Sequence, residues 1–290
     1  MTNMRGSKGN KKGFFFQSKL SENIDKFKDY ESGEVDETLY CESIGTTSRD
    51  KVDNYVLKTD SNVTKFISAK CPGNFGAFQM SSFTIPRQLR FLEHKVGFVP
   101  QIFQDFCYAY FGHVDYDTWM SSNTACGVDV SSLCPEDEVR RQRTLGINIP
   151  TDVKDRALQY LNSADVKEAF VQMHLISGFT DRSADYQIYH PAKTEDDIDF
   201  NSDNFYAINL EMLKSDCLNW KWKIGASTIN FGPLNWKVRG GGGKRCTPTK
   251  GSYHNAQCFS GVGNMKKFIG DTEAFFKGSL TEVLEHMAKI

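Results

Sequence analysis

Two residues of this sequence have the type and setting that acid–base chemistry needs. Glu42 follows Leu39-Tyr40-Cys41 and precedes Ile44-Gly45 by one residue, so its carboxyl lies in a mainly apolar local sequence. Apolar surroundings raise a carboxyl pKa and keep a proton available for donation near neutral pH. Glu42 is therefore the general-acid candidate; the plainer reading is a helix-end Glu facing water. Gln79 is the single amide among Phe75, Phe78 and Met80, with Ser81 just beyond it. An aimed amide in an aromatic wall has the makeup of a ligand groove. Gln79 and the Ser81 hydroxyl would orient a ligand group or a water, and Phe75 and Phe78 would line the cleft. Asp50, Asp53 and Asp60 are the nearest acids that could supply a second carboxylate, and no pattern singles one out. Trp119 could act as a flat stacking platform; a loop Trp packed on the core is its plainer reading.

The elements that would position this set can be read around it. Gly73 and Gly76 allow tight backbone. Ser82 or Thr84 can cap a helix that opens at Pro86, with Leu89, Phe91 and Leu92 behind it. A short helix over 35–40 would deliver Glu42 near its C-terminal end. The run Gly76-Ala77-Phe78-Gln79-Met80-Ser81-Ser82, followed by Phe91-Leu92, resembles the Gly-x-Tyr/Phe-Gln-Leu/Met-Ser segment of the lysozyme superfamily. That group holds muramidases, lytic transglycosylases and family 19-type chitinases, which place a catalytic Glu upstream as Glu-Ser or Glu-Thr. Glu42-Ser43 stands in that place here. The resemblance spans residues 40 to 95. It implies a mainly α, lysozyme-like α+β fold and cleavage of a β-1,4-linked N-acetylhexosamine polymer, peptidoglycan or chitin, with no cofactor. Glu42 would be the acid, Gln79 would orient a sugar N-acetyl group or a water, and Trp119 would stack on a sugar.

Two rival readings come from other classes. A virion, tail or injection-apparatus component could use the same body as a non-enzymatic binding module. His113-Val-Asp115 with the later His174 resembles the two-His, one-carboxylate iron site of oxygenases. His174 lies in a helical pattern, whereas that site belongs to a β-sandwich, so its surroundings argue against it.

Composition bounds the rest. The chain has 290 residues, enough for one large domain or two small ones. The expected division is a basic tail over 1–13 and one domain over 14–290, with a catalytic core over 20–175 and an aromatic, loop-rich part over 176–290. Hydrophobic residues make up 39%, and 22 Phe point to an aromatic core. A formal net charge of −1 gives no general reason to expect nucleic acid. The expected partner is a polysaccharide, with no nucleic acid and no membrane span, and with an immunity, holin or virion protein as a further partner. Phe14-Phe15-Phe16 is too short for the apolar core of a secretory signal, so delivery to a cell wall would need another route. The eight Cys include no Cys-x-x-Cys pair, so structural zinc of the usual spacing is unsupported. Buried free thiols are the expected state, with Cys126 and Cys134, and Cys246 and Cys258, as candidate loop staples.

Periodicity predicts further helices. Pro100 opens one with Ile102, Phe103, Phe106 and Tyr110 on one face, ending at Gly112. Residues 113–134 and 178–204 read as loops. Two helices over 150–161 and from 164 onward form a tight hairpin. Asp197, Asp199, Asn201 and Asp203 lack the Gly and Glu of a calcium loop and read as a solvated turn. Gly240 to Arg245 lacks the spacing of a phosphate loop. Ser279-Leu280-Thr281-Glu282 is a capping box ahead of Val283, Leu284 and Met287.

Overall fold

The computed structural model describes residues 12–20, 22–23, 39–43, 55–59, 64–72, 79–112, 116–121, 148–177, 183–225, 228–232, 234–238, 257–262 and 273–289. The chain divides into two compact units, one built from residues 1–78, 175–216 and 264–290, the other from 79–174 and 217–263.

The first unit is organised on a six-stranded mixed sheet in the order β1-β2-β3-β5-β6-β11. Its strands are β1 Leu39–Ser43, β2 Tyr55–Thr59, β3 Thr64–Lys70, β5 Tyr186–Tyr189, β6 Phe205–Asn209 and β11 Phe275–Gly278. β1, β2 and β3 form an antiparallel meander, β3 and β5 run parallel, and β6 and β11 return antiparallel. One face of the sheet carries Ile67 and Ala69, Tyr186 and Ile188, and Phe205 and Ala207. Helix α1, over 12–20, covers it with Phe16 and Leu20, and the C-terminal helix adds Leu280, Val283, Leu284 and Met287. Each fully buried side chain of this size contributes about 1.5–3 kcal/mol relative to exposure. On the opposite face Ser68 stands in register beside Gln187, both buried, and the Tyr189 and Tyr206 rings meet edge to face at 5.5 Å.

The second unit holds a five-stranded sheet in the order β4-β10-β9-β8-β7, antiparallel throughout. These are β4 Gln79–Thr84, β7 Trp222–Ile224, β8 Ile229–Phe231, β9 Leu234–Val238 and β10 Gln257–Val262. Its helices are α2 Ile85–Val96, α3 Gln101–Gly112, α4 Tyr116–Ser121, α5 Thr151–Leu161 and α6 Ala164–Val171. The core is aromatic: Trp222 stacks on Phe231 at 4.2 Å, Phe170 meets Trp222 edge-on at 4.6 Å, and Phe111 packs on Trp236 at 4.4 Å. At Gly232 the backbone has φ +54°, and a Cβ there would lie 2.6 Å from the Trp220 ring, so the turn between β8 and β9 requires glycine.

Local signals hold well. The helices expected at Pro86, Pro100, 150–161 and 164 onward are present, and the capping box closes: Ser279 N–H donates to Glu282 Oε2 at 2.8 Å and Glu282 N–H to Ser279 Oγ at 3.3 Å. It opens α8, Leu280–Lys289. The expected mainly α, lysozyme-like fold is corrected: the protein is an α/β mixture on two sheets. The physical reason lies at residues 39–43. They pair with 55–59 as a strand, so no helix delivers Glu42. The loop expected over 113–134 contains α4, and the one over 178–204 contains β5. Among the described residues, Cys71, Cys107 and Cys217 are free thiols. Also among the described residues, no helix is long and apolar enough to cross a membrane.

Candidate functional site

A cleft of about 300 Å³ in the first unit brings charged side chains together. Lys65, Asp185, Tyr186, Asn209, Glu211 and Ser215 contribute to its lining. They come from four elements: Lys65 from β3, Tyr186 from the start of β5 with Asp185 just before it, Asn209 from the end of β6, and Glu211 and Ser215 from α7, Leu210–Asp216, which follows β6 directly.

Asp185 is held on three sides. Its N–H donates to the Phe66 carbonyl at 2.8 Å, its Oδ2 accepts the Phe66 N–H at 2.7 Å, and its carbonyl accepts the Leu210 N–H at 2.9 Å. The charge-assisted bond to a backbone N–H is the strong member of this set. The Asp185 side chain also lines the cleft. Glu211, in the first turn of α7, is exposed.

Asn209 is buried and works at both ends. Its Oδ1 accepts the N–H groups of Glu211 and Met212, each at 3.1 Å, which is the N-cap arrangement for α7. Its Nδ2 donates to the Tyr186 hydroxyl at 3.2 Å. The Asn209 backbone is tied in as well, by donation to the Ala274 carbonyl at 2.8 Å. The Lys65 ammonium lies 6.0 Å from the centroid of the Tyr186 ring. Burial pushes the Tyr186 phenol above its ordinary pKa, with the Asp185 charge adding to this and the Asn209 bond opposing it. The hydroxyl therefore keeps its proton at neutral pH.

Among the described residues no three or more His, Cys, Asp or Glu side chains gather as a metal cluster. The cleft offers two carboxylates, Asp185 and Glu211. That number suits a hard cation that takes its remaining ligands from water and substrate oxygens.

Of the residues singled out in the sequence, those that the structure describes lie elsewhere. Glu42 is in β1, in register with Val56, within the sheet of the first unit. Gln79 begins β4 in the sheet of the second unit, across from Gly261 at a register irregularity, and Ser81 stands opposite Ser260. No shared element positions Glu42 with Gln79. Trp119 is in α4. Phe75, Phe78, Asp50, Asp53, Asp60, His113, Asp115 and both Cys126 and Cys134 lie outside the described residues. His174 is fully buried, its ring 4.2 Å from that of Phe170, as a core residue. Sequence reasoning missed Asp185, Tyr186 and Asn209. The available signal was the run Tyr186-Gln187-Ile188-Tyr189, β-prone residues inside a polar stretch.

No family model matches the chain, and no curated protein matches it. A solved structure of the restriction endonuclease MspI in complex with its cognate DNA is similar over 83% of this chain and 78% of that chain, at 11% identity and a TM-score of 0.40. A likeness at that level carries no argument about this chain. The expected lysozyme kinship, glycan cleavage and polysaccharide partner are withdrawn: no family model and no curated protein matches, and residues 39–43 form a strand where that reading needs a helix ahead of Glu42. The virion-module and oxygenase alternatives gain no support either. The expectation of no nucleic-acid partner is withdrawn as well: it rested on a net charge of −1, which does not describe a local site such as the cleft that Lys65 lines.

Proposed function

We propose that the first unit hydrolyses phosphodiester bonds of nucleic acid with the help of a divalent cation, at the cleft of Lys65, Asp185 and Glu211. The observation that carries this reading is the gathering of two carboxylates and one ammonium around a single cavity of about 300 Å³. Phosphoryl transfer asks little covalent chemistry of a protein; it asks for positioning and for charge where the phosphate oxygens lie. Asp185 and Glu211 would hold the cation. When bound, such a cation polarises a phosphoryl oxygen and lowers the pKa of a bound water. Lys65 would sit against the non-bridging oxygens and offset their charge. Asp185, fixed by Phe66 and Leu210, would present its carboxylate without first having to be ordered. DNA and RNA are the phosphodiester polymers to test first.

The test is a cleavage assay on labelled single- and double-stranded DNA and RNA with magnesium or manganese, against the same reaction with EDTA. Metal-dependent cutting that disappears in Glu211→Gln and Lys65→Met, with the fold intact by circular dichroism, supports the reading. Absence of cutting under every metal, or cutting unchanged in both variants, sinks it.

A further inference from the structure

We infer that Tyr186 is an oxyanion-binding residue of the cleft, its hydroxyl proton directed toward the ligand by Asn209. The inference rests on the anion-binding half of the proposed function. The argument begins with the Asn209 amide. An Asn carbonyl and amino group look alike in shape, and the partners decide which is which. Here Oδ1 faces two backbone N–H groups, those of Glu211 and Met212, which can only donate. The other end must therefore be Nδ2, which can only donate in turn. It meets the Tyr186 hydroxyl at 3.2 Å, so that oxygen is the acceptor. A phenol that accepts from its neighbour still has its own O–H to give.

The surroundings say what would receive that proton. Lys65, 6.0 Å from the ring, brings positive charge to the same cleft. A neutral donor beside an ammonium suits a tetrahedral oxyanion, and the chemical class is a phosphate or phosphodiester. Asn209 is a positioning residue: it acts through Tyr186 and through the first turn of α7. Because one side chain performs both jobs, the direction of the phenol O–H and the seat of Glu211 are set together.

Inorganic phosphate with magnesium present is the probe, because Asp185 and Glu211 together outweigh the charge of Lys65 in the cleft. Binding is measured by calorimetry or amide chemical shifts for the full chain, for Tyr186→Phe, for Asn209→Asp and for the double variant. The unmodified protein is expected to bind phosphate, and Tyr186→Phe to bind it about ten-fold more weakly, equivalent to about 1.4 kcal/mol. Asp keeps the cap of α7 but turns the phenol into a donor toward its own carboxylate. Asn209→Asp should therefore retain its melting temperature and lose affinity. Adding Tyr186→Phe to it should cost nothing more. Unchanged affinity in Tyr186→Phe, a double variant as weak as the two single losses multiplied, or no phosphate binding by the unmodified protein overturns the inference. If Tyr186→Phe does not fold, the calorimetry of Asn209→Asp decides: affinity equal to that of the unmodified protein overturns it. A protein that binds phosphate through Tyr186 yet cuts no nucleic acid keeps this inference and loses only the hydrolysis.

Discussion

Replacing His190 with Phe should remove most of the loss of stability on going from pH 8 to pH 5.5. The imidazole is buried, stacked on Phe205 with centroids 4.5 Å apart, and faces Phe16 of α1 at 6.0 Å. Nδ1 lies 3.2 Å from the Asn204 carbonyl, and Nε2 has no hydrogen-bond partner among the described residues. Burial holds the histidine below its ordinary pKa of 6.5, while the Asn204 carbonyl and the charge of Asp199 pull the other way. A group depressed on folding takes up its proton more readily when unfolded. Its contribution to stability is therefore complete above about 6.5 and is lost as the pH falls toward the folded-state value. One proton gives a slope of at most about 1.4 kcal/mol per pH unit. The change to Phe forfeits one hydrogen bond but removes a buried nitrogen without a partner. Each moves stability by about 1–3 kcal/mol, in opposite directions, so the two proteins should be nearly equal at pH 8. Urea unfolding at several pH values, followed by circular dichroism, gives both slopes. If the Phe variant weakens with acid as steeply as the unmodified protein, His190 is not the titrating group and the reasoning fails.

Other perturbations test other parts of the molecule. Leu284→Ala, at a side chain 1% exposed between α8 and the first sheet, should cost about 2–5 kcal/mol in chemical unfolding. Gly232→Ala should destabilise by about 1–3 kcal/mol, because the added methyl meets the Trp220 ring in a left-handed turn; a thermal melt reads this. The Cys71 thiol, pushed up to about 11 chiefly by burial, should react slowly with iodoacetamide at pH 8 in the folded protein and quickly in urea, as followed by mass spectrometry. Asp185→Asn should abolish metal-dependent cutting while leaving Phe66 N–H an acceptor, so hydrogen exchange at Phe66 should rise little.

What could be read from the sequence was what is decided within a few residues. The capping box of Ser279 and Glu282, the apolar stripe of Leu280, Val283, Leu284 and Met287, and the Pro-led openings of α2 and α3 are local, and the structure has them. Strand partners are not local. Phe66 meets Asp185 across 119 positions, and nothing near either residue announces the other. β5 is buried on every residue, so it lacks the alternation that marks a half-exposed strand, and the polar residues around it read as loop. Leu39 to Ser43 carries too few residues to tell a strand from the end of a helix, and the helical reading placed Glu42 wrongly. The cleft escaped for the same reason. Its carboxylates and lysine come from β3, the turn before β5 and the start of α7, and only tertiary pairing brings these together.

The division of the chain sets the order in which its parts can be finished during synthesis. The unit holding residues 79–174 and 217–263 has all its strands once residue 263 has been made. The unit with the cleft still lacks β11 and α8 then, leaving the outer edge of β6 unpaired and Ile67, Ile188 and Phe205 uncovered by the last helix. A nascent or truncated chain ending near 263 would therefore show a sticky strand edge to its neighbours, and a chaperone that shields such edges would be needed most until residues 275–289 have joined the sheet.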